Sequence, residues 1–440
     1  MKRANRPPDP NGAVSQRSDE AHAVTDDADI PPRRTAERAR VRGSYRLMFD
    51  PVFGPFFWGK VLASAGVWIH NIVAAVVAYQ LTGSTLVVGI VTAVQFVPQL
   101  LFGPLAGKMA DRGDAVRQIV LGRMLTALGS GGLAAWIWLA GGLPGAAPVI
   151  VASLVVGLGF VVGGPATQSI VPSLIRPGEM AAAMALNSVP MTLARAAGPA
   201  LGAATATQLG PGPAFAIAAS GNFLFGIIVF AMRIRRDHEH SSDTDFSVRA
   251  SLRHLRTDPP LALLLLGIAA IGIGADPTLT LTPAIAASLG GGSSVVGWLA
   301  SAFGIGAGVG FLVFAPLHRL LTLSRLSSGG LLIMAAGLLA LAASPSLVLA
   351  LISFGVSGAG MTVAFTSITT QIQNRSPDAL RGRIMALWFV GFLGSRPLAA
   401  GLNGFLADVL SIAAALLVTA GITLVAAFLC RPRNLDRPVP

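Results

Sequence analysis

Long apolar segments fill the chain from residue 47 to residue 430, and most are long enough to cross a lipid bilayer as a helix. A spanning helix needs about 20 apolar residues. Within a bilayer every backbone N–H and C=O group must be bonded inside the protein, which leaves helices or closed barrels. Only 12% of the residues are charged, against about 25% in soluble domains. The sequence therefore predicts an all-α integral membrane protein.

Twelve spans account for these segments. We place them near 52–80, 84–106, 117–140, 147–172, 180–207, 212–233, 259–289, 293–317, 326–344, 346–371, 379–407 and 410–430. All Lys and Arg residues except four, which lie inside spans, fall in the tails and in alternate loops on one side. This is the positive-inside pattern. It predicts that both termini are cytoplasmic in the cell inner membrane, and it explains the net charge of +12 without nucleic acid.

An internal repeat divides the chain. The tripeptide Met-Ala-Leu at 184–186, followed by Arg195, recurs 201 residues later at 385–387, followed by Arg396. A fixed offset of about half the chain indicates duplication. The fold class predicted is thus twelve transmembrane helices in two pseudo-symmetric six-helix bundles, with one arginine per bundle at the same place.

The predicted organisation has five parts. They are a disordered cytoplasmic tail (1–46), an N-terminal six-helix bundle (47–233), a cytoplasmic linker (234–258), a C-terminal six-helix bundle (259–430) and a cytoplasmic C-terminal tail (431–440). The single cysteine allows no intrachain disulfide. We expect a monomer that contacts membrane lipids and binds no metal, cofactor or nucleic acid.

The loop after the second span has a distinctive composition. Gly107 is followed by three residues, then Asp111 and Arg112, then a further basic residue. This loop, the repeat and the long central linker resemble the major facilitator superfamily. The resemblance implies a gate in which the loop clamps the two halves together, and we expect Asp111 to dock near Gly382 and Arg383 at the start of the eleventh span. The alternative is a simple tight turn.

Three further stretches narrow the resemblance. They are residues 79–84 (YQLTGS), 185–199 (from ALN to RAAGP) and 381–385 (RGRIM). With them, the chain resembles the enterobactin-exporter-like group of bacterial efflux proteins. That resemblance implies the major facilitator fold, alternating access between two halves, and export. Residues 198–202 (GPALG) also resemble the helix-5 motif of family antiporters, and we predict a hinge at Gly198, Pro199 and Gly202, because proline interrupts helix bonding.

Charged residues inside spans are costly and mark function. For Arg195 and Arg396, one interpretation is a structural bond to helix-end carbonyls, and the other is contact with an anionic or polar substrate. Asp276 is the only carboxylate well inside a span and is the first candidate for a proton carrier. A helix-break cap or a salt bridge to an arginine are its alternatives. His70 is the second candidate, with a buried neutral ring as the alternative.

Other polar residues inside spans are candidates for the substrate cavity. They are Asn71, Gln95, Gln99, Gln168, Asn187 and Asn403. Lys60 lies three turns from Asn71 on the same helix face, but we expect its amine to reach the cytoplasmic interface.

The function predicted is secondary active transport, with proton-coupled export of a small amphipathic molecule such as a drug or a siderophore-like metabolite. No acid lies in the first six spans, and the arginine that proton-driven exporters of the superfamily carry in their fourth span is absent. The alternatives are metabolite uptake or facilitated diffusion and, more remotely, a membrane-embedded lipid-modifying enzyme. The histidines are too scattered for the enzyme.

Overall fold

The structure is a computed structural model that describes residues 44–176, 178–232, 255, 257–377 and 380–436. Side chains at 104, 106–108, 110–112, 181 and 381–382 lie outside the description. Within the described ranges the chain forms helices and no strand, which confirms the all-α prediction.

Twelve long helices follow one another and are numbered here in chain order. They are α1 (Phe53–Thr82), α2 (Thr85–Arg112), α3 (Ala115–Ala140), α4 (Ala147–Ser169), α5 (Met180–Leu209), α6 (Pro211–Ala231), α7 (Pro259–Ala275), α8 (Ser293–Leu320), α9 (Leu323–Ala342), α10 (Leu347–Arg375), α11 (Arg381–Val409) and α12 (Ile412–Leu429). Short helical turns at Ser44–Leu47, Val171–Leu174 and Pro432–Leu435 complete the tails and one loop.

Eleven helices of the described chain are long and apolar enough to cross a membrane. The remaining long helix is α5, which has 30 residues and contains an arginine and several threonines that lower its apolar character. It packs between α1 and α8 like its equivalent in the other half. The twelve predicted spans therefore correspond to twelve helices.

The seventh span differs from the prediction of one helix over 259–289. Helix α7 ends at Ala275, and two short segments, Pro277–Thr280 and Thr282–Ser288, continue its path. Pro277 has no N–H group and its ring clashes with the carbonyl four residues earlier. That carbonyl, of Ile273, accepts instead from the Asp276 N–H at 3.1 Å. The break places Asp276 between the end of α7 and the proline that interrupts the helix.

Side-chain caps fix where several helices begin. In each case a serine, threonine or aspartate oxygen accepts from the N–H three residues later, as an N-cap does. These caps are Ser84, Asp114, Asp258, Thr322, Ser346 and Ser411. The first residue of each of these helices is therefore set by a polar residue that stands directly before the apolar segment.

The packing repeats between the halves. Helix α1 packs on α5 and α6, as α7 packs on α11 and α12. Helix α3 packs on α4 and α6, as α9 packs on α10 and α12. The two most extensive contacts between the halves are α2 with α11 and α5 with α8, and the repeat relates these two contacts to each other. The prediction of two pseudo-symmetric six-helix bundles is confirmed.

Glycines allow the backbones to meet along both contacts between the halves. A Cβ added to Gly89 of α2 would lie 2.3 Å from the carbonyl oxygen of Ala400 in α11. A Cβ added to Gly304 of α8 would lie 2.3 Å from the carbonyl oxygen of Arg195 in α5. Small residues permit this close helix approach in membranes. We call these two contacts the α2/α11 seam and the α5/α8 seam.

The seams close one end of the molecule, the end whose loops contain no Lys or Arg. There the amide of Gln80 donates to the Ser293 hydroxyl across the halves at 3.2 Å. Further along α8, a Cβ on Gly304 would still meet α5, whereas one on Gly308 would meet nothing within 4 Å. The close approach of α8 to α5 is therefore present at Gly304 and absent at Gly308, one turn nearer the end whose loops are basic. Below, the charge-free end is the end whose loops contain no Lys or Arg, although Asp408 lies there. The basic end is the opposite end.

We expect Gly89→Ala to loosen the charge-free end, because the added methyl group overlaps a backbone oxygen and overpacking costs about 1–3 kcal/mol. The reporter is Ser301→Cys in the α5/α8 seam, labelled by a membrane-impermeant maleimide. Cys430 gives little background, because its side chain is fully buried and closed to the reagent. Labelling from the charge-free end should rise.

The matched control is Gly401→Ala, a glycine of α11 whose added Cβ meets nothing within 4 Å. Both changes add one methyl group to a helix. Equal labelling rates in the two variants would contradict the assignment of Gly89 to a seam that holds the halves together.

Candidate substrate cavity and gate

The two repeated arginines lie on the helices that join the halves. The guanidinium of Arg195, in α5, lies over the ring of Trp68 in α1 at 5.6 Å. That of Arg396, in α11, lies 5.1 Å from the ring centre of Phe96 in α2 and 5.3 Å from that of Phe392. Arg396 thus contacts an aromatic ring of the opposite half, and both planar cations are held against flat apolar faces.

Neither guanidinium has a hydrogen bond to another described residue, and the Nε atom of each is buried without a partner. Within the described part of the chain, therefore, neither arginine bonds to a helix-end carbonyl as the structural interpretation required. Arg396 is close enough to both Arg195 and Asp276 for their charges to interact. The sequence named all three residues, and the structure brings them together.

Asp276 belongs to a buried polar cluster in the C-terminal half. Its carboxylate accepts from the Asn403 amide at 2.7 Å and from the Thr280 hydroxyl at 3.0 Å. The Thr419 hydroxyl donates to the Asn403 carbonyl at 2.7 Å and so fixes the amide's orientation. These bonds satisfy the carboxylate without an arginine. The acid lies beside Arg396 but is not paired with it directly.

A second cluster lies in the N-terminal half. The Lys60 amine donates to the side chain of Asn187 at 2.5 Å and to its backbone carbonyl at 3.0 Å. The Asn187 amide donates to Gln168 at 2.5 Å. Lys60 is therefore directed into the bundle, and the expectation that it reaches the interface is wrong. The amide oxygen and the carbonyl of Asn187 offer a nearer polar partner than water at the interface.

Of the remaining cavity candidates on α1 and α2, Asn71 and Gln95 are bonded to each other and Gln99 is not bonded to a described residue. The amide of Gln95 donates to the carbonyl of Asn71 at 2.8 Å, which joins α2 to α1. Gln99, one turn further along α2, is half-buried and has no hydrogen bond to another described residue. Gln95 and Gln99 are four residues apart and so share a face of α2. That face offers one bonded amide and one without a hydrogen bond to a described residue.

His70 lies apart from these groups. It is fully buried, its Nδ1 lies 3.0 Å from the Ser130 hydroxyl of α3, and its ring packs against Phe215 of α6. Its Nε2 is buried without a partner. The ring therefore lies within the N-terminal bundle, whereas Asp276 is in the other half.

The predicted hinge residues form a packing surface. A Cβ on Gly198 would lie 2.6 Å from that of Trp68, and one on Gly202 would lie 3.0 Å from the Cα of Ile69. Helix α5 continues through Pro199, and the N–H of Ala200 donates to Ser301 of the other half at 3.1 Å. The GPALG segment is thus where α5 meets both α1 and α8. Its bending stays a prediction.

The predicted gate lies partly outside the described residues. The structure describes only the backbone at the predicted gate residues, Gly107, Asp111, Arg112 and Gly382. There, α2 is helical through Arg112 and α11 begins at Arg381. The Nε atom of Arg383 is buried without a partner. Docking of Asp111 near Gly382 therefore stays a prediction.

A second connection between the halves, which the sequence analysis did not assign, is at the charge-free end. The Asp408 carboxylate, at the end of α11, accepts from the Ser84 hydroxyl at 2.5 Å and from the N–H groups of Thr85 and Leu86 at 2.8 and 3.1 Å. These N–H groups belong to the first turn of α2, where a negative charge is favoured. The proximity of Asp408 to a predicted loop was the available signal.

Arg123 is another residue that the sequence analysis missed. It is buried in α3, its guanidinium donates to the Asn222 side chain of α6 at 3.3 Å, and it lies 5.3 Å from the Phe225 ring centre. Its charge acts on Lys60. The signal was present, because Arg123 is one of four basic residues inside predicted spans and Asn222 lies in the middle of another span.

A sequence model of the family described as "transmembrane secretion effector" matches residues 44–437. The chain belongs to this family of major facilitator transporters. It is 25% identical to the enterobactin exporter EntS of Shigella boydii serotype 4 (strain Sb227) over 359 residues. The matched region covers 78% of this chain and 82% of that protein. The EntS of Escherichia coli O81 (strain ED1a) matches equally. The predicted resemblance to the enterobactin-exporter-like group is confirmed.

Solved structures support the same fold. A bacterial homologue of the human lysosomal transporter Spinster, in an inward-facing and unoccupied conformation, superposes with a TM-score of 0.71 at 16% identity, covering 89% of this chain and 99% of that one. A D-xylose–proton symporter gives 0.68 at 14% identity, covering 86% and 97%. The prediction of a multi-pass transporter rather than an enzyme is confirmed by the family and by these structures.

Asn187→Ala should destabilise the N-terminal half. It removes the amide to which the charged Lys60 amine donates and leaves that amine only the backbone carbonyl of residue 187. Loss of a hydrogen bond to a charged group costs about 1.5–3 kcal/mol. We expect a lower midpoint of thermal unfolding for the purified protein in detergent.

Ser188→Ala is the matched control on the next residue of α5. Ser188 is exposed and its hydroxyl bonds only to a carbonyl of its own helix. A midpoint unchanged in both variants would show that the Lys60 cluster does not contribute to stability.

Proposed function

We propose that the protein exports a small amphipathic molecule from the cytoplasm by alternating access. The observation that supports this most directly is the pair of seams, which hold the halves together at the charge-free end, while the close approach of α8 to α5 is absent nearer the basic end. Positive-inside charge assigns the basic end to the cytoplasm. In that orientation both termini are cytoplasmic, and we assign the described conformation to the state that loads from inside the cell.

The α2/α11 pair supports a reciprocal gate. At the charge-free end an acid of α11 holds the N-terminus of α2. At the basic end Asp111, on the last turn of α2, stands opposite the N-terminus of α11 in the predicted docking. Each helix start would thus receive a carboxylate from the other half in one of the two conformations. Gly107, Arg112 and Arg383 belong to the predicted basic-end gate.

The gate proposal gives two opposite shifts. Asp408→Ala should open the charge-free end and raise maleimide labelling of Ser301→Cys, because three bonds between the halves are lost. Asp111→Ala should favour the conformation open at the basic end and lower that labelling. Asp408→Asn, which keeps one acceptor oxygen, should fall between the parent and Asp408→Ala. A shift in the same direction for both alanine variants would contradict the reciprocal gate.

Proton entry is the energy source in this proposal, with Asp276 as the carrier. It is the one acid in the middle of a described span, it lies at a helix break, and its cluster adjoins the helices that move. A buried carboxyl group can exchange protons near neutral pH because burial disfavours its charge. His70 is the weaker candidate, since its contacts lie within the N-terminal bundle.

The test uses inverted membrane vesicles and three radiolabelled naphthalene derivatives with an anionic, a neutral and a cationic head group. We expect accumulation in inverted but not in right-side-out vesicles, and stimulation by an acidic interior. Asp276→Asn should abolish the stimulation. Thr280→Val, which removes one hydrogen bond to Asp276 but no titratable group, should retain it.

Two results would count against this proposal separately. Stimulation that persists in Asp276→Asn would remove Asp276 as the carrier. Accumulation in right-side-out vesicles instead would favour the alternative of metabolite uptake.

A further inference from the structure

The charge inside the described helices is strongly unequal. Four cations lie away from the helix ends, namely Lys60, Arg123, Arg195 and Arg396, against one acid at similar depth, Asp276. Asp408 is at the end of its helix and exposed. A buried charge without compensation is costly, and these positions have no second acid that could compensate. The interior is therefore an environment that attracts anions.

Two of the four cations already have hydrogen-bond acceptors. Lys60 is bonded to Asn187 and Arg123 to Asn222. Arg195 and Arg396 are different, because no nitrogen of either guanidinium has an acceptor among the described residues, whereas Arg123 lacks one only at its buried Nε. The nearby acid is bonded to Asn403 and Thr280 instead. The hydrogen-bonding capacity of the pair is unused.

Each guanidinium lies against aromatic rings, Arg195 against one and Arg396 against two, and rings accept no conventional hydrogen bond from its N–H groups. Those N–H groups are therefore available to a ligand. A guanidinium edge matches the paired oxygens of a carboxylate, phosphate or sulfonate. The two arginines lie on α5 and α11, one from each half and each part of a seam. A ligand that bridges them would therefore contact both halves, as a transported cargo must.

We propose that the cargo is an amphipathic organic anion, with its acidic group held between Arg195 and Arg396 and its flat apolar part against Trp68, Phe96 and Phe392. Met191 adds an apolar contact, since its sulfur accepts from the Trp68 indole at 3.4 Å and its side chain is otherwise exposed. This inference rests on the proposed function and names its substrate class.

A cationic or neutral cargo fits these observations less well. A cation would approach two arginines that have no acid bonded to them. A neutral molecule would leave both guanidinium groups without acceptors, which costs binding free energy. An anion supplies what both groups lack.

The experiment measures binding of naphthalene-2-carboxylate, 2-naphthyl phosphate and naphthalene-2-sulfonate to the purified full chain by equilibrium dialysis. The neutral 2-naphthalenemethanol and the cationic 2-naphthylmethylamine share the same ring. We expect at least one anion to bind at least about tenfold more tightly than the neutral and cationic compounds, the factor expected from a charge-assisted hydrogen bond. Binding of no anion above the neutral compound would overturn the inference.

Variants locate the site. Arg195→Gln and Arg396→Gln should each weaken anion binding at least about tenfold and so reduce the preference for the anion over the neutral compound by at least that factor. Arg195→Lys should restore part of the affinity, because it keeps the charge but loses the planar fork. The control is Arg325→Gln, which removes the same charge from an exposed position at the start of α9. Equal weakening in the control would mean only general attraction of anions and would also overturn the inference.

A transport measurement separates this inference from the proposed function. In inverted vesicles without a pH gradient, an interior made positive with potassium and valinomycin should accelerate uptake of the bound anion. Uptake of the cationic compound in preference to the anions would overturn the inference and leave export standing. A Ser301→Cys labelling rate that no gate variant changes would overturn alternating access while leaving the anion-binding result intact.

Discussion

Close backbone contact between the two halves is the constraint on which the other features depend. The α2/α11 and α5/α8 seams exist because glycine stands where a larger residue would overlap a carbonyl oxygen, as at Gly89 and Gly304. Such contact is held by dispersion and small polar bonds rather than by the hydrophobic effect, since lipid is as apolar as leucine. Each seam can therefore form and separate at modest cost. The four helices of the two seams contain Arg195, Arg396 and the two proposed gating acids, Asp111 and Asp408.

The sequence was sufficient for the fold and for much of the site's composition. Span length, one-sided basic loops and the repeat around Arg195 and Arg396 determine twelve helices in two related halves. Mid-span polar residues were identified because they are rare in an apolar background. Asp276, Asn403 and Asn187 were all found in this way.

The pairing of those residues could not be predicted. Asp276 and Asn403 are 127 residues apart, as are Lys60 and Asn187, so their contact depends on helix rotation and on which helices are neighbours. Lys60 was expected at the interface because its flexible stem permits it, and only the position of Asn187 decides otherwise. The break before Pro277 was visible in sequence, but its effect on the direction of the Asp276 side chain was not.

The contact that Asp408 makes between the halves at the charge-free end should be less sensitive to salt than an ion pair would be. Its carboxylate is held by a hydroxyl and two backbone N–H groups, none of which carries a full charge. Dissolved ions screen the attraction between two opposite charges but compete poorly for short hydrogen bonds at a helix start. The contact at the charge-free end of this transporter should therefore persist over a wide range of salt concentration.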